Sequence, residues 1–569
     1  MSFRDLVPPL RWLGDYSARD ATSDIVAGLI LAVLLVPQAM AYATLAGLPP
    51  EVGLYTAIAP PLIYACLGTS PYVSMGPVAL ASLLVADAVA GSSLDPAEAA
   101  AILAVETGAI LLAIGALRLG RLVNFISDPA LLGFTAAAAV LIAASQLPTL
   151  LGIDAERGGT IMATATTLWP LIPQTDVTAL IVGGGALLAL IIGSRFGRPL
   201  LWKLGVRPPW RRTLVSTIPF VVLVICAAAA TIWTLDIPKV TQPPSGLPPF
   251  GLPPLDMTAW LGLLPSSAVI AAVIFVPGTA VAKSLAGRRR QSLDTSQEAL
   301  AIGAANVASA LSGGYSPGVS FSRSALVYDS GARSPIASGI GALIVLLVVL
   351  FLSAPLALLP KTALAALVIS AVFGLIKPAQ IRSTWRHSRT EGMVIFVTFA
   401  ATLGLGVQWG LGVGAISGIA AFLWFSSLPR VTRLGERVQG DGRFRSVDRN
   451  EVEVDTLPVL AIRFDRSLYF ANVGHCEDQL LTLLSRHPEA SCLLIDMKGV
   501  NDIDASGMAM LERLIENLEE KRLTVGFAEV RQSLQRAFTG HLELERCAIY
   551  ADVPEGVRRM QEACGDDAG

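Results

Sequence analysis

Two short segments of this chain carry the residue types that hold an anion without a metal or a cofactor. Ser74-Met75-Gly76-Pro77-Val78-Ala79-Leu80 and Ser316-Pro317-Gly318-Val319-Ser320-Phe321-Ser322-Arg323-Ser324 each set serine, glycine and proline at the head of an apolar stretch. Proline cannot continue a helix from the preceding turn, so a new helix starts just after each break. Its first amide N–H groups lack intrahelical partners and carry the positive end of the helix dipole. Two such starts facing each other within a membrane would make an anion site. Ser320 and Ser322 add hydroxyl donors. Arg323 adds a charge that is costly in lipid and useful beside an anion. Gln38 and Tyr42, on an earlier apolar segment, are expected to donate from the side and to wall the site. The competing account makes Gly76, Pro77, Pro317 and Gly318 packing kinks and Arg323 a snorkelling or ion-paired residue.

The elements that position these residues come in two copies. Val36-Pro37-Gln38-Ala39-Met40-Ala41-Tyr42-Ala43-Thr44-Leu45-Ala46-Gly47 is echoed 240 residues later by Val276-Pro277-Gly278-Thr279-Ala280-Val281-Ala282-Lys283-Ser284-Leu285-Ala286-Gly287. Pro77 and Pro317 share that offset, as do Ser82 and Ser322. Proline-interrupted hydrophobic segments at corresponding places in two halves of a membrane chain mark a transporter's binding site. Pro37 and Pro277 are expected to break their helices, as Pro77 and Pro317 do.

Composition agrees with a membrane chain: 53% of residues are hydrophobic, 15% are charged, and the mean hydropathy is +0.61. The first 430 residues hold apolar runs of about 20 residues, enough to cross a hydrocarbon core of about 30 Å. Fourteen spans are expected, the third and tenth short, after an N-terminal segment 1–24 that does not read as a cleavable signal. With that segment in the cytoplasm, the inside loops hold seventeen Lys and Arg and the outside loops three, which supports cytoplasmic N- and C-termini. Seven spans per half is odd, so the halves insert with opposite orientation. A net charge of −2 gives no case for nucleic acid. Nothing in the chain reads as a metal cluster, a nucleotide loop or a nucleophile–base pair, so an enzyme is not expected, and no cofactor is implied.

After the transmembrane part, 25–430, a charged segment 431–455 reads as a linker, and 456–569 reads as a cytoplasmic α/β domain. Strands are expected at Val459–Phe464, Leu468–Phe470, Cys492–Ile495 and Leu523–Phe527. Helices are expected at Val473–Ser485, Ser506–Glu520, Arg531–Thr539 and Pro554–Cys564. Ser506, in Asp504-Ala505-Ser506-Gly507, reads as a helix N-cap, with a regulatory docking or phosphorylation point as the functional alternative. The six cysteines lack metal spacing and read as reduced, unpaired thiols.

The chain resembles the SulP sulfate-permease-like anion transporters over nearly all its length. The resemblance rests on Val36–Ala43, on Pro50-Glu51-Val52-Gly53-Leu54-Tyr55-Thr56-Ala57 continuing to Tyr64 and Gly68-Thr69-Ser70, on Gly76–Ala79, and on Ser320–Ala325. The tail is similar to the family's sulfate-transporter/anti-sigma-antagonist (STAS) domain through Arg463-Phe464-Asp465, Leu468–Asn472 and Asp504–Gly507. This likeness implies a polytopic α-helical membrane protein built as a seven-plus-seven inverted repeat, with core and gate domains and a cytoplasmic STAS domain. It implies elevator-like secondary transport of a small anion, usually by a homodimer in the lipid bilayer, with a cytoplasmic partner open to the STAS domain. Carried onto matching positions, the implied site is Gln38, Tyr42, Val78, Ala79, Ser320, Phe321, Ser322 and Arg323, with Gly76 and Pro77 at the break.

The chain departs from the family at Pro277, where an acidic residue linked to cation or proton coupling is usual. Intramembrane carboxylates are seldom idle, so Glu106 and Glu298 become the coupling candidates, with Asp87 nearer the outer end. The expected function is secondary transport of a small anion, by symport if coupled. Sulfate is favoured by the resemblance; bicarbonate, chloride and dicarboxylates remain open. The alternative is an uncoupled anion exchanger or channel with a regulatory STAS domain.

Overall fold

The computed structural model describes the chain except residues 1–8, 10–12, 122–125, 156–157, 207–209, 245, 289, 291–292, 437–443, 448–455 and 567–569. Much of the N-terminal segment and much of the expected linker therefore lie outside the described residues. The chain divides into two compact units, Met1–Ile419 and Ala420–Gly569.

The first unit is helical. Its first half holds α1 (Ala18–Leu45), α2 (Pro50–Thr56), α3 (Ala59–Leu67), the two-residue strand β1 (Met75–Gly76), α4 (Ala79–Ala90), α5 (Pro96–Ala116), α6 (Asp128–Leu151), α7 (Ile161–Leu168), α8 (Val177–Lys203) and α9 (Trp210–Ile232). The second half holds α10 (Met257–Gly287), α11 (Thr295–Leu311), the short strand β2 (Gly318–Val319), α12 (Phe321–Asp329), α13 (Ile336–Phe351), α14 (Lys361–Val372), α15 (Pro378–His387), α16 (Arg389–Leu405) and α17 (Val407–Ser427). Among the described residues, eight helical stretches are long and apolar enough to cross a membrane, while Ala79–Ala90 and Ile336–Phe351 are shorter apolar helices. The chain is a polytopic membrane protein.

Local chemistry starts these helices where the sequence allows. Ser17 caps α1 by accepting from the Asp20 amide while the Asp20 carboxylate accepts from the Ser17 amide, a reciprocal capping box. Asp95, Ser127, Asp176, Asp256 and Asp294 cap α5, α6, α8, α10 and α11 one-sidedly, each side chain accepting from amides of the first turn. The structure corrects one expectation. Pro37 and Pro277 do not end helices: α1 and α10 run through them. Dense packing is the reason, since Val36, Pro37 and Gln38 are all buried and neighbouring helices keep the segment helical despite the lost hydrogen bond.

Small residues let the helices approach. A Cβ added at Gly53 would run into the Ala39 carbonyl oxygen and lie 2.9 Å from the Ala43 Cβ, so α2 rests directly on the α1 backbone. Gly53→Ala is expected to cost about 1–3 kcal/mol through overpacking, read as a lower melting midpoint of the detergent-solubilised protein.

In the second unit, six strands form one sheet in the order β4-β3-β5-β6-β7-β8. They are β3 (Val431–Glu436), β4 (Phe444–Ser446), β5 (Val459–Phe464), β6 (Cys492–Asp496), β7 (Thr524–Ala528) and β8 (Ala548–Tyr550). The last four are parallel neighbours, and β3 runs antiparallel to β5. Helices α18 (Val473–Arg486), α19 (Ala505–Glu519), α20 (Gln532–Phe538) and α21 (Val553–Asp566), with a five-residue helix at Leu542–Arg546, accompany the sheet.

Three expectations change here. The start of the charged segment 431–455 is strand, because the apolar side chain of Leu434 is buried against the sheet. Leu468–Phe470 forms only an isolated bridge from Leu468 to Ile503. Cys492 and Cys564 form a disulfide across Cα atoms 6.8 Å apart, because α21 packs back against β6 from 72 residues away. The other four thiols are free, and burial pushes Cys476 up to about 12 and Cys547 up to about 11, so both stay protonated and inert at neutral pH.

Candidate functional site

The two proline breaks meet. β1 and β2 pair antiparallel, Met75 opposite Val319 and Gly76 opposite Gly318. The Ser320 amide donates to the Ser74 carbonyl at 3.1 Å, and the Ser74 amide donates to Ser324 Oγ at 3.0 Å. Gly76-Pro77 and Pro317-Gly318 disfavour helix here, because proline supplies no amide donor and biases the residue before it out of the α region. From this clasp α4 and α12 begin, 12 and 9 residues long. Val78 caps α4 with no side-chain hydrogen bond, so the first amides of that helix are left for something else to satisfy. Ser320 caps α12, accepting from the Arg323 amide.

Behind the clasp sits Arg323, with a relative exposure of 0%. Its Nε donates to Ser74 Oγ at 3.3 Å, Nη1 to Gln38 Oε1 at 3.2 Å and Nη2 to the Pro77 carbonyl at 2.9 Å. One guanidinium thus ties α1, the first break and α12 together. Gly76 adopts φ +143°, a backbone conformation that side-chain-bearing residues rarely take, and a Cβ there would sit at ordinary contact distance, 3.5 Å, from Arg323 Nη2; the backbone conformation is what requires glycine. Among the described residues no carboxylate pairs with Arg323. A buried cation held only by neutral acceptors leaves a positive potential that an anion can compensate.

Of the residues expected at the site, Gln38 and Tyr42 are buried on α1, and Ala79 is buried at the start of α4 with Val78 partly so. Ser320 is half-buried, Ser322 is exposed, and Phe321 keeps 58% of its surface exposed, so one side of the α12 tip faces open space. Ser320 Oγ and Ser322 Oγ lie 3.4 Å apart. Gly278, next to Pro277, packs against this level: an added Cβ would lie 3.1 Å from Val319 Cγ2.

Sequence reasoning gave no positioning role to Ser74, noted only at the head of its segment, and missed Tyr315. Ser74 serves both the clasp and Arg323. The buried Tyr315 hydroxyl lies 2.7 Å from Ser82 Oγ, its amide donates to Thr56 Oγ1 at 2.9 Å, and its carbonyl accepts from Ser309 at 2.7 Å. Both residues stand two or three places before a paired proline, where a search for hydroxyl groups would have found them. Ser82 and Ser322, equivalent by offset, do different jobs: one holds Tyr315, the other lies at the open tip.

The coupling candidates lie apart from the Arg323 cluster. Glu106 on α5 accepts from Ser267 Oγ of α10 at 2.7 Å. Glu298 on α11 accepts from the Tyr64 hydroxyl at 2.8 Å, the Thr69 amide at 2.9 Å and the Thr69 hydroxyl. In the second unit, the cap of α19 is Asp504 and not Ser506: Asp504 accepts from the Gly507 amide at 2.9 Å and the Phe470 amide at 2.8 Å. An ionised carboxylate is the stronger acceptor. Ser506 is left exposed at the helix start.

Two half-helices clasped at their N-termini inside a polytopic helical unit define a membrane transporter architecture. Comparison with known proteins agrees. Residues 22–398 match the sulfate permease family and residues 451–555 match the STAS domain. The chain belongs to the sulfate permease family, whose members here are transporters and not enzymes. It is 31% identical over 533 residues to a probable sulfate transporter 4.2 of Arabidopsis thaliana, covering 90% of this chain and 77% of that one. It is 31% identical over 562 residues to a probable sulfate transporter of Mycobacterium tuberculosis, covering 96% of both. The fold is also that of murine Solute Carrier 26 family member A9, an anion transporter, in its inward-facing state. That likeness has a TM-score of 0.85 at 22% identity, over 98% of this chain and 94% of that one. The transmembrane domain of a cyanobacterium bicarbonate transporter matches at TM-score 0.59 and 19% identity, over 71% of this chain and 98% of that one.

Proposed function

We propose that this protein carries a small anion, sulfate first, across the membrane, holding it between the N-termini of α4 and α12. The observation that carries this reading is Arg323, a fully buried cation without a carboxylate partner among the described residues, set behind the uncapped start of α4. The anion is held by the first α4 amides and by the Ser320 and Ser322 hydroxyls, while Arg323 supplies charge from behind. Gln38 and Tyr42 form the wall on α1. The sulfate transporters among its relatives support sulfate as substrate. Fourteen spans in two inverted halves, elevator-like movement of a core past a gate, a homodimer, cytoplasmic termini, and a STAS domain that receives a cytoplasmic partner at Ser506 belong to the same proposal.

The test is Ser322→Glu with Arg323 intact. A carboxylate about 5 Å from a bound anion opposes it by roughly 3 kcal/mol at an effective dielectric near 20, so radiolabelled sulfate binding is expected to weaken on the order of 100-fold. Unchanged affinity would sink the facing-helix site.

One observation favours a second reading, an uncoupled exchanger or channel: α10 carries Pro277 where the family's coupling acid stands, and no carboxylate lies anywhere along α10. Proton flux measured during sulfate uptake in proteoliposomes separates the two. Uptake indifferent to a pH gradient selects the uncoupled reading and removes Glu106 and Glu298 as coupling groups.

A further inference from the structure

Arg323 cannot be the first charge that an arriving anion meets. It has no exposed surface, and Nε, Nη1 and Nη2 are already engaged. The open side of the site is the tip of α12, where Ser322 and Phe321 are exposed. Phe321 keeps 58% of its surface exposed at this polar tip, so its ring is not filled in by protein packing. Its face is taken instead by a cation: Lys377 Nζ lies 5.5 Å from the Phe321 ring centroid.

Lys377 is poorly explained by its own helix. It occupies the N-cap of α15, makes no side-chain cap, and puts a positive charge at the positive end of the dipole. Lys377 is itself exposed, and the helix that follows it buries none of its residues, so it is not a packing contact either. Among the described residues no carboxylate pairs with it. An ammonium group has three donors, and a ring face competes for it only weakly, so its N–H groups stay available. The placement brings a free, exposed cation onto the residue that begins α12, one position from each of the two site serines.

Resting on the anion-site reading above, we propose that Lys377, held over Phe321, is the recruiting residue of the open mouth: it draws an oxyanion such as sulfate from solution and delivers it to Ser320 and Ser322. It acts through its field and its position, ahead of the buried Arg323. The anion displaces the ammonium from the ring, then passes on to the α4 and α12 tips. Charge-lined mouths of this kind raise local ligand concentration and on-rate, and the effect fades as salt screens it.

The test uses the full-length protein in orientation-sorted proteoliposomes, with radiolabelled sulfate presented to the face that bears Lys377. Lys377→Gln is expected to raise the sulfate KM about fivefold at low ionic strength, with kcat unchanged, and the gap is expected to close at high ionic strength. Lys377→Arg keeps the charge and is expected to keep the KM. A Lys377→Gln protein with unchanged KM at low ionic strength, or with a rise that salt does not reduce, overturns the assignment. Ser322→Glu is run alongside. If it loses sulfate while Lys377→Gln is silent, only the role of Lys377 falls; if both are silent, the anion site falls with it.

Discussion

Arg323→Gln is expected to reduce sulfate binding on the order of 100-fold or more while leaving the protein as stable as before, or more so. The two effects come from one cause. A buried cation with only neutral acceptors costs the empty protein several kcal/mol in lost hydration. The bound anion recovers that cost, and truncating such a buried charge partner typically removes about 2–5 kcal/mol of binding. Glutamine keeps an amide donor for one of the Gln38, Ser74 and Pro77 acceptors but no charge. Arg323→Lys keeps the charge and loses the planar fork that reaches three acceptors from one group, so an intermediate affinity is expected. Binding of radiolabelled sulfate and the melting midpoint, measured on the same preparations, decide the matter. A lower midpoint with intact affinity would make Arg323 a structural tie.

The second large effect is expected at Glu298. Its carboxylate gathers the Tyr64 hydroxyl and both donors of Thr69, and Tyr64 and Glu298 are fully buried. Glu298→Ala leaves those donors without a partner in a dry interior. At about 1–3 kcal/mol for each stranded group, a loss of roughly 3–5 kcal/mol is expected, because neighbours relax and water enters in part. Thermal unfolding in detergent reads it directly. Glu298→Gln keeps the shape and is expected to cost less. This contrast separates stapling from coupling: a coupling acid would show normal stability in both variants and a changed proton dependence of uptake. Glu106, with Ser267 as its hydrogen-bond donor, is the carboxylate whose neutralisation is expected to leave the fold largely intact.

The Glu298 staple gives physical content to Gly68-Thr69-Ser70, a segment conspicuous in the sequence but without a stated job there. Thr69 is 229 residues from its acceptor, so no local spacing links them. The same distance problem hid Ser74, Tyr315 and the Cys492–Cys564 bond. The elements of the second unit were more legible. Strand and helix periods are local properties, and β5, β6, β7, α18, α19, α20 and α21 fall where alternation and helical spacing put them. β3 was obscured by its charged neighbours, and β8 is only three residues long.

By itself, the sequence determined that this chain lives in a membrane, that its halves repeat at an offset of 240, and that helices restart after Pro77 and Pro317. Those properties follow from composition and from the covalent limits of proline and glycine, which hold in any surroundings. Only the tertiary structure decided that Pro37 and Pro277 stay inside continuous helices, because dense packing can outweigh one lost hydrogen bond. It also decided that Arg323 turns inward to Gln38, Ser74 and Pro77 instead of pairing with an acid, and that Lys377 is the charge left outside. A side chain's partners are set by what the fold brings within about 3 Å of it, and in this chain those partners come from 246 to 285 residues away.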